Sequence, residues 1–229
     1  MDVHKPKPID TWRDFAKELG VIVLGIVIAL GLEQLVDVIH HRMQAHEMAE
    51  KLQQESRENR ATIRYDLEQC AAARAAIGSD LATVTQWLKT PRPGVLPLSQ
   101  VPYSKFYRPA DAAWTSVRDG SLLPIMPKRL VDNGWKIDTI DVRLDELREN
   151  SERVRSSVRS LIATTPLRPM TNDFAYELLG RLNEYQEEEG RLCFVAVAYS
   201  GAIDTALAGR ALTIKTDEAA HAMSAGSDH

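Results

Sequence analysis

Aromatic residues and cysteines are scarce in this chain. Phe, Trp and Tyr together make up 6% of its 229 residues, and the two cysteines are Cys70 and Cys193. They lie far apart, with no CxxC pair and no companion histidines, which disfavours a zinc site. In an oxidising compartment they could form a disulfide. The alternative is two buried thiols that act as small apolar residues.

An excess of positive charge is also missing. The net charge is −4, so no basic field exists to attract nucleic acid, and we expect no nucleic-acid partner. The sequence contains no phosphate loop, no nucleotide-binding fingerprint and no nucleophile elbow. We therefore expect a non-enzymatic protein with no catalytic, cofactor-binding or metal-binding residues.

One apolar run organises the chain. Its strictly apolar part, Leu19 to Leu32, has fourteen residues, too few to cross about 30 Å of hydrocarbon at about 1.5 Å per residue. Spanning requires the extension to Ile39, which makes twenty-one residues. That extension carries three polar residues, which we expect to lie at the far headgroup boundary or to contact a protein neighbour: Glu33, Gln34 and Asp37.

Three interpretations of this run compete: an uncleaved single-pass anchor, a signal peptide cleaved near Ala29-Leu30-Gly31, and a buried core helix of a soluble protein. We favour the anchor because helix-forming sequence continues straight through the cleavage site. Gly25 and Ala29 form a small-xxx-small pair, a spacing through which two spanning helices can pack as a homodimer.

Basic residues flank the run unequally, which sets its expected orientation. Four basic residues precede it and two follow within about fifteen residues: Lys5, Lys7, Arg13 and Lys17, then Arg42 and Lys51. The positive-inside rule places residues 1–18 in the cytoplasm and the domain after residue 39 outside it, which is the periplasm in a bacterium. The predicted location is therefore the inner membrane.

A histidine lies just beyond the apolar run. Glu33, Asp37 and His41 recur at i, i+4 and i+8, so they share one face of a helix. A metal or proton-handling site is one interpretation of this face. A polar stripe at headgroup level is the more common one, and we favour it.

The positions of the prolines predict the first helix. No proline occurs between Pro8 and Pro91, so we predict one helix over Trp12–Lys89 that continues from the membrane into the domain. Its apolar residues recur at alternating intervals of four and three residues. The predicted core face contains one misfit, an arginine: Ile63, Leu67, Cys70, Arg74, Ile77, Leu81, Val84 and Leu88.

The remaining chain alternates loops and helices. Residues 90–109 contain five prolines and predict an extended loop, pinned to the helices by Tyr103, Phe106 and Tyr107. A short helix over 109–120 follows, with Trp114 facing the core. These features predict an all-α fold, in which an anchor over 19–39 continues into an antiparallel helical bundle over 40–215.

Two further long helices complete the predicted bundle. Pro127 opens one that runs to about Thr164, with a polar misfit at Ser151 in its apolar stripe. Asn172 is the predicted cap of the last helix, which continues to Leu212. Residues 216–229 are predicted to be a disordered tail.

The anchor resembles the N-terminal signature of a group of bacterial single-pass membrane proteins. The stretch ELGVIVLGIVIALGLEQ, residues 18–34, contains the G-x-x-I-A-L core and the polar ending of that group, and AWTSVRDGSL, residues 113–122, is similar to its tryptophan-bearing helix. The resemblance implies membrane attachment and a helical extracytoplasmic domain. It carries no activity to transfer.

We therefore expect an interaction protein that is an accessory or scaffolding subunit of a membrane complex, with the lipid bilayer and that complex or a homodimer as partners. The alternative is an extracytoplasmic sensor or small-ligand-binding module, because helical bundles outside the cytoplasm commonly serve that use. No cofactor is implied by either.

Overall fold

The chain folds into helices joined by turns and extended segments. The computed structural model describes residues 12–92, 94–99, 106–120, 122–165 and 170–213, and these contain no β-strand. The elements are α1 (Trp12–Lys89), α2 (Ala112–Asp119), a short 3-10 turn (Leu123–Ile125), α3 (Lys128–Thr164) and α4 (Asn172–Leu207). The predicted all-α class and the long N-terminal helix are confirmed.

The ends of α4 differ from the predicted ones. Thr171, rather than Asn172, is the N-cap, because Thr171 has the extended backbone that a cap requires and its side chain accepts a hydrogen bond from the Phe174 N–H. At the other end the helix stops at Leu207, five residues before Leu212. Gly209 adopts a positive φ of 67°, which ends the helix there. The predicted tail lies outside the described residues.

The chain divides into two compact units, residues 1–48 and 49–229. In the first unit, α1 is long and apolar enough to be a candidate membrane span. Its large apolar side chains are exposed throughout the apolar run: Leu19, Val21, Ile22, Val23, Leu24, Ile26, Val27, Ile28, Leu30, Leu32, Leu35, Val36, Val38 and Ile39.

In the second unit, α3 and α4 run antiparallel and pack along their length. Ser151 of α3 donates a hydrogen bond to Glu189 of α4, and Asn133 near the start of α3 binds the backbone of Arg210 beyond the end of α4. The predicted α3 stripe is confirmed at its centre, since Leu144, Val154 and Val158 are buried. The polar misfit at Ser151 is explained by its polar partner on the facing helix.

The part of α1 after residue 49 also packs against α4 in the antiparallel sense. Asn59 contacts Tyr199, whereas Cys70, further along α1, is bonded to Cys193, which lies earlier in α4. Two apolar clusters connect α1, α3 and α4. One contains Ile63 and the disulfide, and the other contains a second set: Ile77, Val84, Trp87, Leu96, Val154, Val158, Ala175, Leu178, Leu182 and Tyr185.

The core face of α1 is rotated from the predicted one. The row Ile63, Cys70, Ile77 and Val84 is buried as predicted, but the adjoining predicted row is half-buried, and its member Arg74 is exposed. A second buried row instead begins four residues before Ile63. Most of its members are polar or aromatic: Asn59, Asp66, Ala73, Asp80 and Trp87. The predicted misfit at Arg74 therefore lies in solvent.

Candidate functional site

A row of polar residues on α1 binds the proline-rich connection, the segment of residues 90–111 between α1 and α2. Asp80 accepts a hydrogen bond of 2.7 Å from the Ser99 N–H, and Asp66 accepts one of 3.1 Å from the Tyr107 N–H. The described parts of the connection, residues 90–92, 94–99 and 106–111, contain no helix or strand, so N–H groups there that are removed from water need side-chain acceptors. The carboxylates, spaced fourteen residues apart along one face of α1, supply them.

Asn59 continues this row and binds the connection through its whole amide group. Its Nδ2 donates to the Ala110 carbonyl and its Oδ1 accepts from the Ala110 N–H, both at 2.7 Å. The side chain thus pairs with the backbone as a neighbouring strand would. Its Nδ2 also lies 3.4 Å from the hydroxyl of Tyr199, so one buried amide connects α1, the connection and α4.

Glu55 of α1 caps helix α2. Its carboxylate accepts from the N–H groups of Ala113 at 2.6 Å and Trp114 at 3.3 Å. Asp111 precedes the helix but makes no side-chain cap, so Glu55 supplies the missing acceptor from another element. Burial raises the pKa of Glu55 more than these two hydrogen bonds lower it.

Asn133 of α3 repeats the Asn59 pattern at the far end of α4. Its Nδ2 donates to the Arg210 carbonyl and its Oδ1 accepts from the Leu212 N–H, both at 2.9 Å. Lys136 donates to the Leu212 carbonyl as well. The segment after α4 is therefore fixed beside the start of α3.

Beside these attachments, a cavity of about 70 Å³ that opens partly to solvent lies between α1, α2, α3 and α4. Four carboxylates line it, from Glu55, Asp111, Asp138 and Asp141, and its lining among the described residues contains no Lys, Arg or His. Two of these acids form ion pairs with an arginine that does not line the cavity. Arg118 lies 3.1 Å from Asp138, and Arg108 approaches Asp111 at 3.7 Å.

Two buried polar atoms of the cavity have no hydrogen-bond partner among the described residues. They are Oδ1 of Asp141, whose side chain is 9% exposed, and Nε1 of Trp114, which is 6% exposed. Burial, with the nearby Asp145 carboxylate as the next cause, raises the pKa of Asp141 to about 6. Each of the two atoms has less than 1 Å² of accessible surface, so the candidate ligand site rests on the four carboxylates that line the cavity.

Asp66, which binds the connection, should make the stability of the protein depend on pH. Its side chain is fully buried, and burial raises its pKa from 3.8 to about 6, although the Tyr107 N–H opposes the shift. Between these values the folded state holds a proton that the unfolded state has lost, so this group makes stability fall as pH rises. We expect Asp66→Asn to gain about 2–3 kcal/mol over the natural protein between about pH 4 and pH 6.

Urea unfolding at several pH values measures this gain. Asp132→Asn is the matched control, because it makes the same change at an exposed carboxylate on α3. An Asp66→Asn difference that stays constant from pH 4 to pH 7 would show that Asp66 titrates as it does in the unfolded chain.

The two cysteines singled out in the sequence meet in the core. Cys70 and Cys193 form a disulfide with their Cα atoms 6.1 Å apart, and both are buried. Glu189, also buried, lies beside them, so that its carboxylate and the two sulfurs fall within 4.8 Å of one another. In the disulfide, neither sulfur is a thiolate that could bind a metal ion.

The other predicted site residues belong to the first unit and not to the cavity. Glu33, Gln34 and Asp37 are exposed, as are Gly25 and Ala29, and a Cβ added at Gly25 would meet no atom within 4 Å. His41 is also exposed. Within one chain these residues therefore remain accessible to a second molecule.

Sequence reasoning missed the cavity because its residues carry no motif. Glu55, Asn59 and Asp141 were not singled out as site residues, whereas Trp114 was expected in the core, which is confirmed. A signal was present in the recurrence of short polar residues at 59, 66 and 80, intervals of seven and fourteen along a helix followed by a proline-rich segment. Tyr103 lies outside the described residues, and Phe106 is buried against the first cluster as predicted.

No protein-family model, curated protein or solved structure matches this chain. No activity or partner is therefore transferred to it from a relative. Its function has to be inferred from the apolar run of the first unit and the cavity of the second.

Proposed function

We propose that this chain is a non-enzymatic interaction protein anchored in the bacterial inner membrane, an accessory or scaffolding subunit of a membrane complex. Residues 19–39 span the bilayer once, residues 1–18 lie in the cytoplasm, and an antiparallel helical bundle lies in the periplasm. The observation that carries the proposal is the exposed apolar run of α1 with polar residues at its end.

The polar ending of the run is the proposed contact with a partner. A carboxylate at membrane depth is costly unless it is paired or reaches water. Glu33 and Asp37 are four residues apart, so they lie on one face of α1, and both are exposed within the chain. A neighbouring helix with a basic or hydrogen-bonding residue at the same depth would stabilise them.

The disulfide supports a periplasmic location. Disulfides persist in oxidising compartments and are rare in the cytoplasm, where thiols are kept reduced. The bridge lies in the second unit, after the apolar run. This agrees with the orientation that the flanking basic residues favour.

Replacing Glu33 by Leu tests the partner contact. We expect Glu33→Leu to insert in the membrane at least as well as the natural chain, because it removes a charge, and to lose at least 80% of a stoichiometric partner that co-purifies in mild detergent, roughly the consequence of a 1–2 kcal/mol loss. Glu68→Leu is the control, an exposed glutamate elsewhere on α1, and should retain the partner.

The partner is identified by mass spectrometry and by a second tag. Recovery of a differently tagged copy of this chain would mean a homodimer, and Gly25→Leu should then abolish it by blocking close helix approach. Unchanged co-purification in Glu33→Leu would place Glu33, Gln34 and Asp37 at the headgroup boundary and remove the intramembrane contact from the proposal.

A second function, binding of a small ligand, is favoured by a separate observation. The cavity of the second unit is lined by four carboxylates and, among the described residues, by no Lys, Arg or His, which favours a ligand with positive charge. The two functions are compatible, since the anchor and the cavity belong to different units.

A further inference from the structure

We propose that Cys70, Cys193 and Glu189 bind a zinc ion when the disulfide is reduced, so that the two cysteines link α1 to α4 in either redox state. These three buried residues lie in the core of the second unit. They share no member with the apolar run or with the lining of the cavity. The site is therefore independent of both functions proposed above.

The three residues have separations that suit a zinc ion. One ligand atom from each, the two sulfurs and a carboxylate oxygen, lies within 4.8 Å of the other two. Zinc bonds sulfur at about 2.3 Å and oxygen at about 2.0 Å, so tetrahedral ligand atoms lie roughly 3.5–3.8 Å apart. Once the S–S bond is broken, rotation of the cysteine side chains can bring the sulfurs to this separation while their Cα atoms stay 6.1 Å apart.

Two of the three ligands come from one face of α4. Glu189 and Cys193 are four residues apart, the helical spacing at which two side chains can bind the same zinc ion. Cys70 adds the third ligand from α1. The sequence disfavoured a zinc site because the cysteines are far apart along the chain, but the fold brings them together beside a carboxylate.

Ser151 binds the carboxylate from the facing helix α3. Its hydroxyl donates a hydrogen bond of 2.8 Å to Oε2 of Glu189, and the two residues are 4% and 1% exposed. A carboxylate has two oxygens and about four acceptor positions, so this hydrogen bond still permits a metal ion to bind. Hydrogen bonds of this kind fix the orientation of metal-binding carboxylates, and their loss weakens metal binding.

The ligand set selects zinc over the common hard divalent ions. Thiolates bind zinc and other soft metals, whereas magnesium and calcium prefer oxygen ligands. Two thiolates neutralise the two charges of Zn²⁺, and the hydrogen bond from Ser151 offsets part of the remaining charge of Glu189. Three protein ligands leave the fourth position of a tetrahedral zinc ion for water.

Reduction and zinc binding are linked through protons. A phosphine or thiol reductant supplies two electrons, and the disulfide takes up two protons to become two thiols. Zinc then displaces both protons, because metal-bound sulfur is a thiolate. Diamide, a two-electron oxidant, takes up two electrons and two protons to become a hydrazine, which re-forms the S–S bond and releases Zn²⁺.

Titration of the full chain in mild detergent with zinc tests the site. We expect the chain reduced by a phosphine to bind one zinc ion with a dissociation constant below about 0.1 µM, the weak end of the range for structural zinc. The oxidised chain should bind zinc at least a hundredfold more weakly, and magnesium and calcium should not compete. Cobalt(II) in place of zinc should give sulfur-to-cobalt charge-transfer absorption, which diamide should abolish.

Variants of two adjacent glutamates test the third ligand. Glu189→Gln keeps the size of the side chain and an oxygen that accepts from Ser151, but it removes the carboxylate. It should weaken zinc binding at least tenfold, while the disulfide still forms on oxidation. Glu188→Gln is the matched control, because Glu188 pairs with Arg191 and lies outside the cluster, and it should leave the zinc affinity unchanged. Cys70→Ser should weaken zinc binding at least a hundredfold.

Each contrary result overturns the site in a distinct way. Equal zinc binding by the reduced and oxidised chains, or by Cys70→Ser and the natural chain, would place the zinc elsewhere. Equal binding by Glu189→Gln and the natural chain would remove Glu189 from the ligands and with it the three-residue site. Absence of zinc binding by the reduced chain would overturn the site whether or not that chain is folded without zinc, because zinc bound between α1 and α4 would also favour folding. None of these results would alter co-purification of a membrane partner.

Discussion

Reduction of the disulfide between Cys70 and Cys193 should lower the free energy of unfolding by about 4–5 kcal/mol, the largest effect we expect from any single bond in this chain. The two residues are 123 positions apart, and in the chain-entropy model a bridge that closes so long a loop removes much of the freedom of the unfolded state. The bridge also ties α1 to α4, the first and the last helix of the described residues.

Urea unfolding of the oxidised and reduced protein, followed by tryptophan fluorescence, measures this difference. Three of the four tryptophans, Trp87, Trp114 and Trp135, belong to the second unit and report on its unfolding. Reduction keeps both sulfurs in the core, which avoids the cavity that a change to alanine would leave. A difference below 1 kcal/mol would mean that packing alone fixes α1 against α4.

The same bond reports the compartment of the second unit. Protein alkylated in intact cells and analysed by non-reducing electrophoresis should migrate faster than its reduced form, with no thiol labelled after denaturation. Two labelled thiols would show a reducing environment, and the periplasmic location would then be wrong even if the purified protein oxidises readily.

The ends of α1 and the start of α3 could be predicted because the signals for them are local. The span of α1, Trp12–Lys89, follows from the absence of proline, and α3 begins directly after Pro127. The close approach of the two cysteines was one of two open interpretations. It depends on how α1 and α4 pack, and a chain separation of this size does not determine that.

The rotation of the α1 core face could not be predicted from periodicity. Apolar periodicity assigns Asp66 and Asp80 to solvent, whereas both are buried. They are buried because the proline-rich connection lies over them and presents backbone N–H groups at Tyr107 and Ser99. The polarity of a position therefore depended on a segment nearly twenty to forty residues away, which a pattern within one helix does not contain.

The cavity shows the same limit. Glu55 is recognisable as the cap of α2 only once both helices are placed, and Asn133 and Asn59 act through the backbone of distant segments. Backbone N–H and C=O groups are the same at nearly every residue, so no sequence motif shows which backbone group each of these side chains binds. The side chains that bind them are identifiable from the sequence only as short polar residues at regular helical intervals.

Gly134→Ala should destabilise the second unit by about 1–3 kcal/mol, although alanine is the better helix former by up to about 1 kcal/mol. A Cβ at position 134 of α3 would lie within 2.6 Å of three ring carbons of Trp114. The ring of Trp114 packs edge-on against Trp135, with 5.3 Å between the ring centroids, and the Trp114 backbone N–H is bound by Glu55, so a shift of the ring would disturb the contact with Trp135. Overpacking of this kind forces a rotamer or backbone shift.

Gly180→Ala is the matched control, since Gly180 is exposed within α4 and a Cβ there would meet no atom within 4 Å. It should stabilise the protein by about 0.5–1 kcal/mol through helix propensity. In the double variant Gly134→Ala with Trp114→Ala, the cost should be smaller than the sum of the two single changes by at least about 1 kcal/mol, because the ring that clashes is gone. Additive costs would show that Trp114 does not pack on Gly134. The stability cycle thus tests the wall of the cavity without any ligand present.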